Sequence, residues 1–179
     1  SSAQTIRTAT FYKIAASSSE PDITITGANA QWVFHVTVIR DFDPASIVDA
    51  YDVTDSPNST QSYLDSNTFT TNYNGSLVLR YGGWDGVNNR CLFTEPSKVN
   101  YLGKELSNCC GLAGYEYQVT AGTVPSRRMV TINSTEGGQI TSIAIKDANP
   151  SAPTYSPYHT KTYDTVWYFG NFGSTQDGI

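Results

Sequence analysis

The chain has 179 residues, is 39% hydrophobic and only 15% charged, and carries a formal net charge of −5. Length and apolar content suit one domain, or one domain plus part of another, able to bury roughly 70% of its surface; this excludes a disordered chain. The acidic balance, with Arg127-Arg128 as the one tight basic pair, argues against a nucleic-acid partner, and no apolar run reaches the ~20 residues of a membrane span.

The first strand is predicted over Arg7–Ala15, followed by a turn cluster at residues 17–21. Asp22–Thr26 alternates Ile23 and Ile25 with polar residues, a half-buried strand. Gln31–Arg40 is the strongest strand: Trp32, Phe34, Val36 and Val38 fall on one face and Val33, His35, Thr37 and Ile39 on the other. Asp41–Asp55 reads as an acidic loop with a helical turn after Pro44, and Pro57–Asp65 as polar loop. Ser66–Thr71 is a short strand, Asn74-Gly75 a turn, and Ser76–Tyr81 another strand ending in Gly82-Gly83. Residues 84–113 read as irregular. Tyr115–Ala121, Arg128–Asn133 and Gln139–Lys146 alternate again, with turns between them. Seven or eight strands and no long helix predict an all-β protein, an antiparallel β-sandwich of jelly-roll-like winding over residues 1–148. A Pro/Ser/Tyr linker over 149–162 then leads to a C-terminal extension, or the start of a further domain, over 163–179, with one more strand at Thr162–Phe169.

Catalytic constellations are hard to assemble here. There are two histidines, His35 mid-strand and His159 in the linker, and no nucleophile elbow, HExxH or P-loop. Asp41, Asp43, Asp49, Asp52 and Asp55 crowd one loop, but no glycine turns it and no glutamate closes it as calcium loops require; turn chemistry explains the acids. No catalytic residue, metal or cofactor is therefore expected. Three cysteines, Cys91, Cys109 and Cys110, leave at least one thiol unpaired; Cys91 with Cys109, Cys91 with Cys110, and three free thiols all remain open.

Aromatic residues are the better hint. Trp84, in the glycine-rich Gly82–Gly86 stretch, is predicted with Asp85 and Tyr81 as a glycan-stacking site, the competing role for Trp84 being a cap on the core. Tyr155, Tyr158, Tyr163, Trp167, Tyr168 and Phe169 crowd the tail in the composition of a subunit contact, or of the core of a second domain.

FYKIA, SEPDITIT and WVFHVTVIRDFDPASIVDA, followed in order by SLVLRYGGWDG at 76–86, GYEYQVTAG at 114–122, RMVTI at 128–132 and ITSIAIKDA at 140–148, resemble a β-sandwich domain of structural proteins in tailed bacteriophages. The resemblance covers about residues 7–148. It implies a non-enzymatic virion component (capsid decoration, tail or fibre) on the particle surface, a homo-oligomer that packs against other virion subunits and touches host-surface glycans. Such domains carry one or two strands ahead of the position of Phe11, so a piece of a longer chain, or a strand supplied by a neighbour, is expected. The alternative reading is a carbohydrate-binding module or adhesin domain, because lectins share the sandwich fold.

Overall fold

The structure, a computed structural model, describes residues 8–14, 24–25, 30–37, 39, 42–56, 62–85, 91–94, 100–105, 109–132, 137–148, 165–172 and 176–177. Among them there is no helix. The strands are β1 (Thr24–Ile25), β2 (Ala30–Thr37), β3 (Val48–Ser56), β4 (Tyr63–Asp65), β5 (Phe69–Thr71), β6 (Ser76–Asp85), β7 (Cys91–Phe93), β8 (Asn100–Glu105), β9 (Cys109–Gln118), β10 (Gly122–Val124), β11 (Arg128–Thr131), β12 (Gly138–Ile145), β13 (Thr165–Phe172) and β14 (Gln176–Asp177).

All pairings are antiparallel, and six of them are nested: β1 with β14, β2 with β13, β3 with β12, β4 with β11, β5 with β10 and β6 with β9. The described chain is thus one long hairpin, folded back at β7–β8. Lateral pairings of β12 with β6, β9 with β8, and β11 with β7 roll that hairpin into a five-stranded sheet, β3-β12-β6-β9-β8, and a three-stranded sheet, β4-β11-β7.

Strand alternation gives the large sheet two unlike faces. Residues paired across β6, β9 and β12 share a face, so Trp84, Cys110, Leu112 and Ile140 lie together and meet Leu64, Cys91, Phe93 and Met129 of the small sheet in one buried cluster. Further along the same face Val78, Ala144 and Val124 form a second cluster under Phe69 and Ala50. On the opposite face Leu77, Leu79 and Ile145 are covered by Ile39, Phe42 and Ile47 of the segment before β3. Two glycines permit the close approach: a Cβ at Gly82 would meet Met129 Sδ at 2.6 Å, and one at Gly138 would meet the Trp84 ring at 2.5 Å.

Five expectations change. The polar loop at Pro57–Asp65 ends in strand β4, and the turn expected before Arg128 holds strand β10. Residues 8–14 form no strand, and Phe11, Tyr12 and Ile14 point to solvent, at 90%, 67% and 42% exposure. The acidic loop at Asp41–Asp55 keeps its turn at Pro44-Ala45 but becomes the nine-residue strand β3 from Val48. The irregular region 84–113 contains β7, β8 and the start of β9. The C-terminal strand appears as β13, paired along its length with β2 of the same chain.

Candidate functional site

Arg80 stands in the middle of β6, in the apolar run Ser76-Leu-Val-Leu-Arg-Tyr, with its side chain wholly buried between the two sheets. A buried guanidinium requires a partner. Glu116, two rungs along β9, supplies one: its Oε1 pairs with Arg80 Nη1, while its Oε2 accepts from Arg127 Nη2 at 2.6 Å and Nε at 3.1 Å. Arg80 Nη2 also donates to the Pro125 carbonyl at 2.9 Å, and the Arg127 backbone is held by Ser66 through reciprocal bonds at 2.9 and 3.0 Å. Burial, then the neighbouring Arg127 charge, lower the Arg80 guanidinium to about 9, which still leaves it charged at neutral pH. Arg80 Nε and Ser142 Oγ, register partners across β6 and β12, are buried with no hydrogen-bond partner among the described residues. This network fastens β6, β9 and the 125–127 segment together. It is closed to solvent at Arg80 and partly exposed at Glu116 and Arg127.

The predicted glycan site does not assemble. Trp84 has 0% exposure, its ring enclosed with Phe93, Met129 and Leu112, so it offers no face for a sugar to stack on; it is a core residue. Tyr81 and Asp85, at odd positions of β6, lie on the opposite face. The Tyr81 phenol donates to Thr37 Oγ1 at 3.3 Å and its ring meets His35 edge-on at 5.3 Å, which ties β2 to the large sheet. Burial raises the Tyr81 phenol and lowers His35 to about 4.

The crowded acids take separate tasks. Asp43 closes its own turn through Ala45 N at 2.9 Å and pairs with Lys146 Nζ at 2.7 Å, an ion pair that holds the Asp43 carboxyl below its usual range. Asp49 accepts from Asn72 N, Asn72 Nδ2, Tyr73 N and Ser76 Oγ, clamping the turn that leads into β6. Asp52 accepts from Thr54 Oγ1 and Asn67 Nδ2. Asp41 lies outside the described residues.

Cys91 and Cys110 form a disulfide with Cα atoms 5.9 Å apart, joining the small sheet to the large one; Cys109 is a free, half-buried thiol pushed up by burial and then by Asp85. Of the predicted tail aromatics, Tyr155, Tyr158 and Tyr163 lie outside the described residues. Trp167, Tyr168 and Phe169 occupy β13 at the rungs of His35, Phe34 and Val33.

Among the described residues, the outer face of β3 is open to a partner. Tyr51 is 71% exposed and Val53 47%, and Asp55 completes the same side of the strand. The polar residues Asp52 and Thr54 turn toward the other sheet layer instead, reversing the usual pattern of an edge strand. Sequence reasoning missed this strip, although the alternation of Tyr51, Val53 and Asp55 with Asp52 and Thr54 was readable. Beside it, Thr8 donates from its backbone N at 3.0 Å and from its hydroxyl to Gln139 Oε1, which fixes the start of the exposed 11–14 segment on β12. Comparison with protein families, with characterised proteins and with solved structures finds no match to this chain.

Proposed function

We propose that the chain is a non-enzymatic structural subunit of a tailed-phage particle, a capsid-decoration, tail or fibre component that acts through protein–protein contacts at the particle surface. The observation that carries the contact role is the outer face of β3: an edge strand that turns Asp52 and Thr54 inward and sets Tyr51 and Val53 in solvent is built to be covered. The fold reading is a β-sandwich wound as a jelly roll. In support, the nested pairings and the order β3-β12-β6-β9 opposite β4-β11-β7 are what a rolled antiparallel hairpin gives, an arrangement found in viral capsid and lectin domains alike. The Cys91–Cys110 disulfide favours a destination outside a reducing cytosol. The assignment to phage particles draws on the ordered strand motifs from Phe11 to Ala148.

Peptide mass spectrometry of purified particles, with antibody labelling seen by electron microscopy, tests this proposal. The expected result is the chain at stoichiometric copy number at a fixed surface position. Its absence from particles, or turnover of a polysaccharide or peptide by the purified chain, would overturn it. The carbohydrate-binding reading loses its stacking ring with the burial of Trp84 and is not carried further.

A further inference from the structure

Two apolar surfaces of this chain lie side by side and neither covers the other. One is the strip Tyr51, Val53 and Asp55 on the outer face of β3. The other is residues 11–14, Phe-Tyr-Lys-Ile, all exposed. They share a root. Thr8 is bonded to Gln139 and lies 3.3 Å from the Thr141 hydroxyl, and Gln139 and Thr141 are the rung partners of Asp55 and Val53. From Thr8 to Phe11 is three residues, about 10 Å of extended chain. The strip is therefore within reach of its own arm, yet both stay in water.

We propose that the strip is covered by the 11–14 arm of a second copy of this chain, and that copy's strip by the arm of the first. The proposal rests on the subunit-contact reading above and names its partner. Charge points to this occupant. Residues 1–14 contain Arg7 and Lys13 and no carboxylate, in a chain of net charge −5, whereas the strip carries Asp55 on a strand without a cation. Reach agrees: an arm rooted beside the strip sets its Phe11 ring on the apolar Tyr51 and Val53. Area sets the strength. Aromatic side chains bury about 150–250 Å² each. Phe11 of the arm on Tyr51 and Val53 of the strip then buries on the order of 400 Å² per copy, and a reciprocal pair about 800 Å², the area of a weak dimer. Because arm root and strip adjoin, both exchanges fall in one patch, and a two-fold axis closes the contact.

Sedimentation velocity of the full chain is the test, with two double variants made at exposed positions: Tyr51→Lys with Val53→Lys on the strip, and Phe11→Ser with Tyr12→Ser on the arm. The wild-type chain is expected to dimerise, and each double variant to weaken the dimer by at least about tenfold while keeping the wild-type circular dichroism spectrum. In a Cys109→Ser background, a Phe11→Cys chain mixed with a Val53→Cys chain is expected to cross-link between copies on oxidation. A wild-type chain that stays monomeric at roughly 100 µM, or a dimer unchanged by either double variant, overturns the proposal. A monomeric chain still found in particles would overturn only the second-copy partner. A dimer held by strip and arm but absent from particles would overturn the phage reading and leave this contact standing.

Discussion

β6 and β3 belong to one sheet, a single strand apart, and have opposite fates. β6 is enclosed on both faces: Leu77, Leu79 and Tyr81 pack under the segment before β3 and under β2, while Trp84 packs against the small sheet, Val78 against Val124 and Phe69, and Arg80 is buried on Glu116 and the Pro125 carbonyl. β3 lies at the edge, and its outer face holds Tyr51 and Val53 in water. The same kind of residue, a large aromatic on a strand, is thus core at position 84 and surface at position 51. Place in the sheet order decides this, and composition does not. Substitutions in β6 should therefore act on folding, and substitutions on the outer face of β3 on association alone.

The largest effects are expected in β6. Arg80→Ala would leave Glu116 half-buried with only Arg127 as its cation and is expected to cost about 3–5 kcal/mol in urea unfolding; a loss below about 1 kcal/mol would show that the network is not coupled to the fold. Trp84→Ala empties the main cluster and is expected to cost about 3–5 kcal/mol, with no change in any glycan binding beyond that due to unfolding. Next in size is the link between the sheets. Replacing Cys91 and Cys110 together by Ser opens a loop of sequence separation 19 and is expected to lower stability by about 2–4 kcal/mol, read by thermal and urea unfolding with and without reductant.

A smaller effect is tied to pH through His35. Burial lowers its pKa to about 4 from 6.5, so the folded protein resists protonation that the unfolded chain accepts. The contribution is constant above about pH 6.5 and is lost as pH falls from there toward 4, by about 1–2 kcal/mol once partial exposure is allowed for. His35→Gln should flatten stability over that window in unfolding curves taken from pH 7 to 4. The fall below it, where the ion-paired Asp43 and Asp65 take up protons, should be unchanged. The smallest effect belongs to β3: Tyr51→Ser should change monomer stability by less than about 0.5 kcal/mol, as exposed positions do.

Much of the strand content was legible from alternation. β11 and β12 begin and end near their predicted bounds, β6 begins at its predicted residue but runs four residues further, and the Asn74-Gly75 turn stands where expected, with Gly75 at φ 73°. β3 was hidden because three aspartates among nine residues, spaced by three and so falling on both faces, read as loop. Trp84 was misplaced because Gly82-Gly83 looked flexible; those glycines are extended strand, kept small at Gly82 by Met129 of the facing sheet. The nested pairing was not legible at all, since each strand shows its own period and nothing of its partner. The arm was predicted as a strand on its aromatic pair Phe11 and Tyr12, and residues 8–14 form no strand.

The most direct test of the contrast between β3 and β6 is amide hydrogen exchange of the wild-type chain as a function of protein concentration. Peptides spanning residues 48–56 and 8–14 should become more protected as the chain associates, while those spanning 76–85 hold one high protection throughout. Protection of 48–56 that does not change with concentration would contradict the claim that the outer face of β3 is a contact surface.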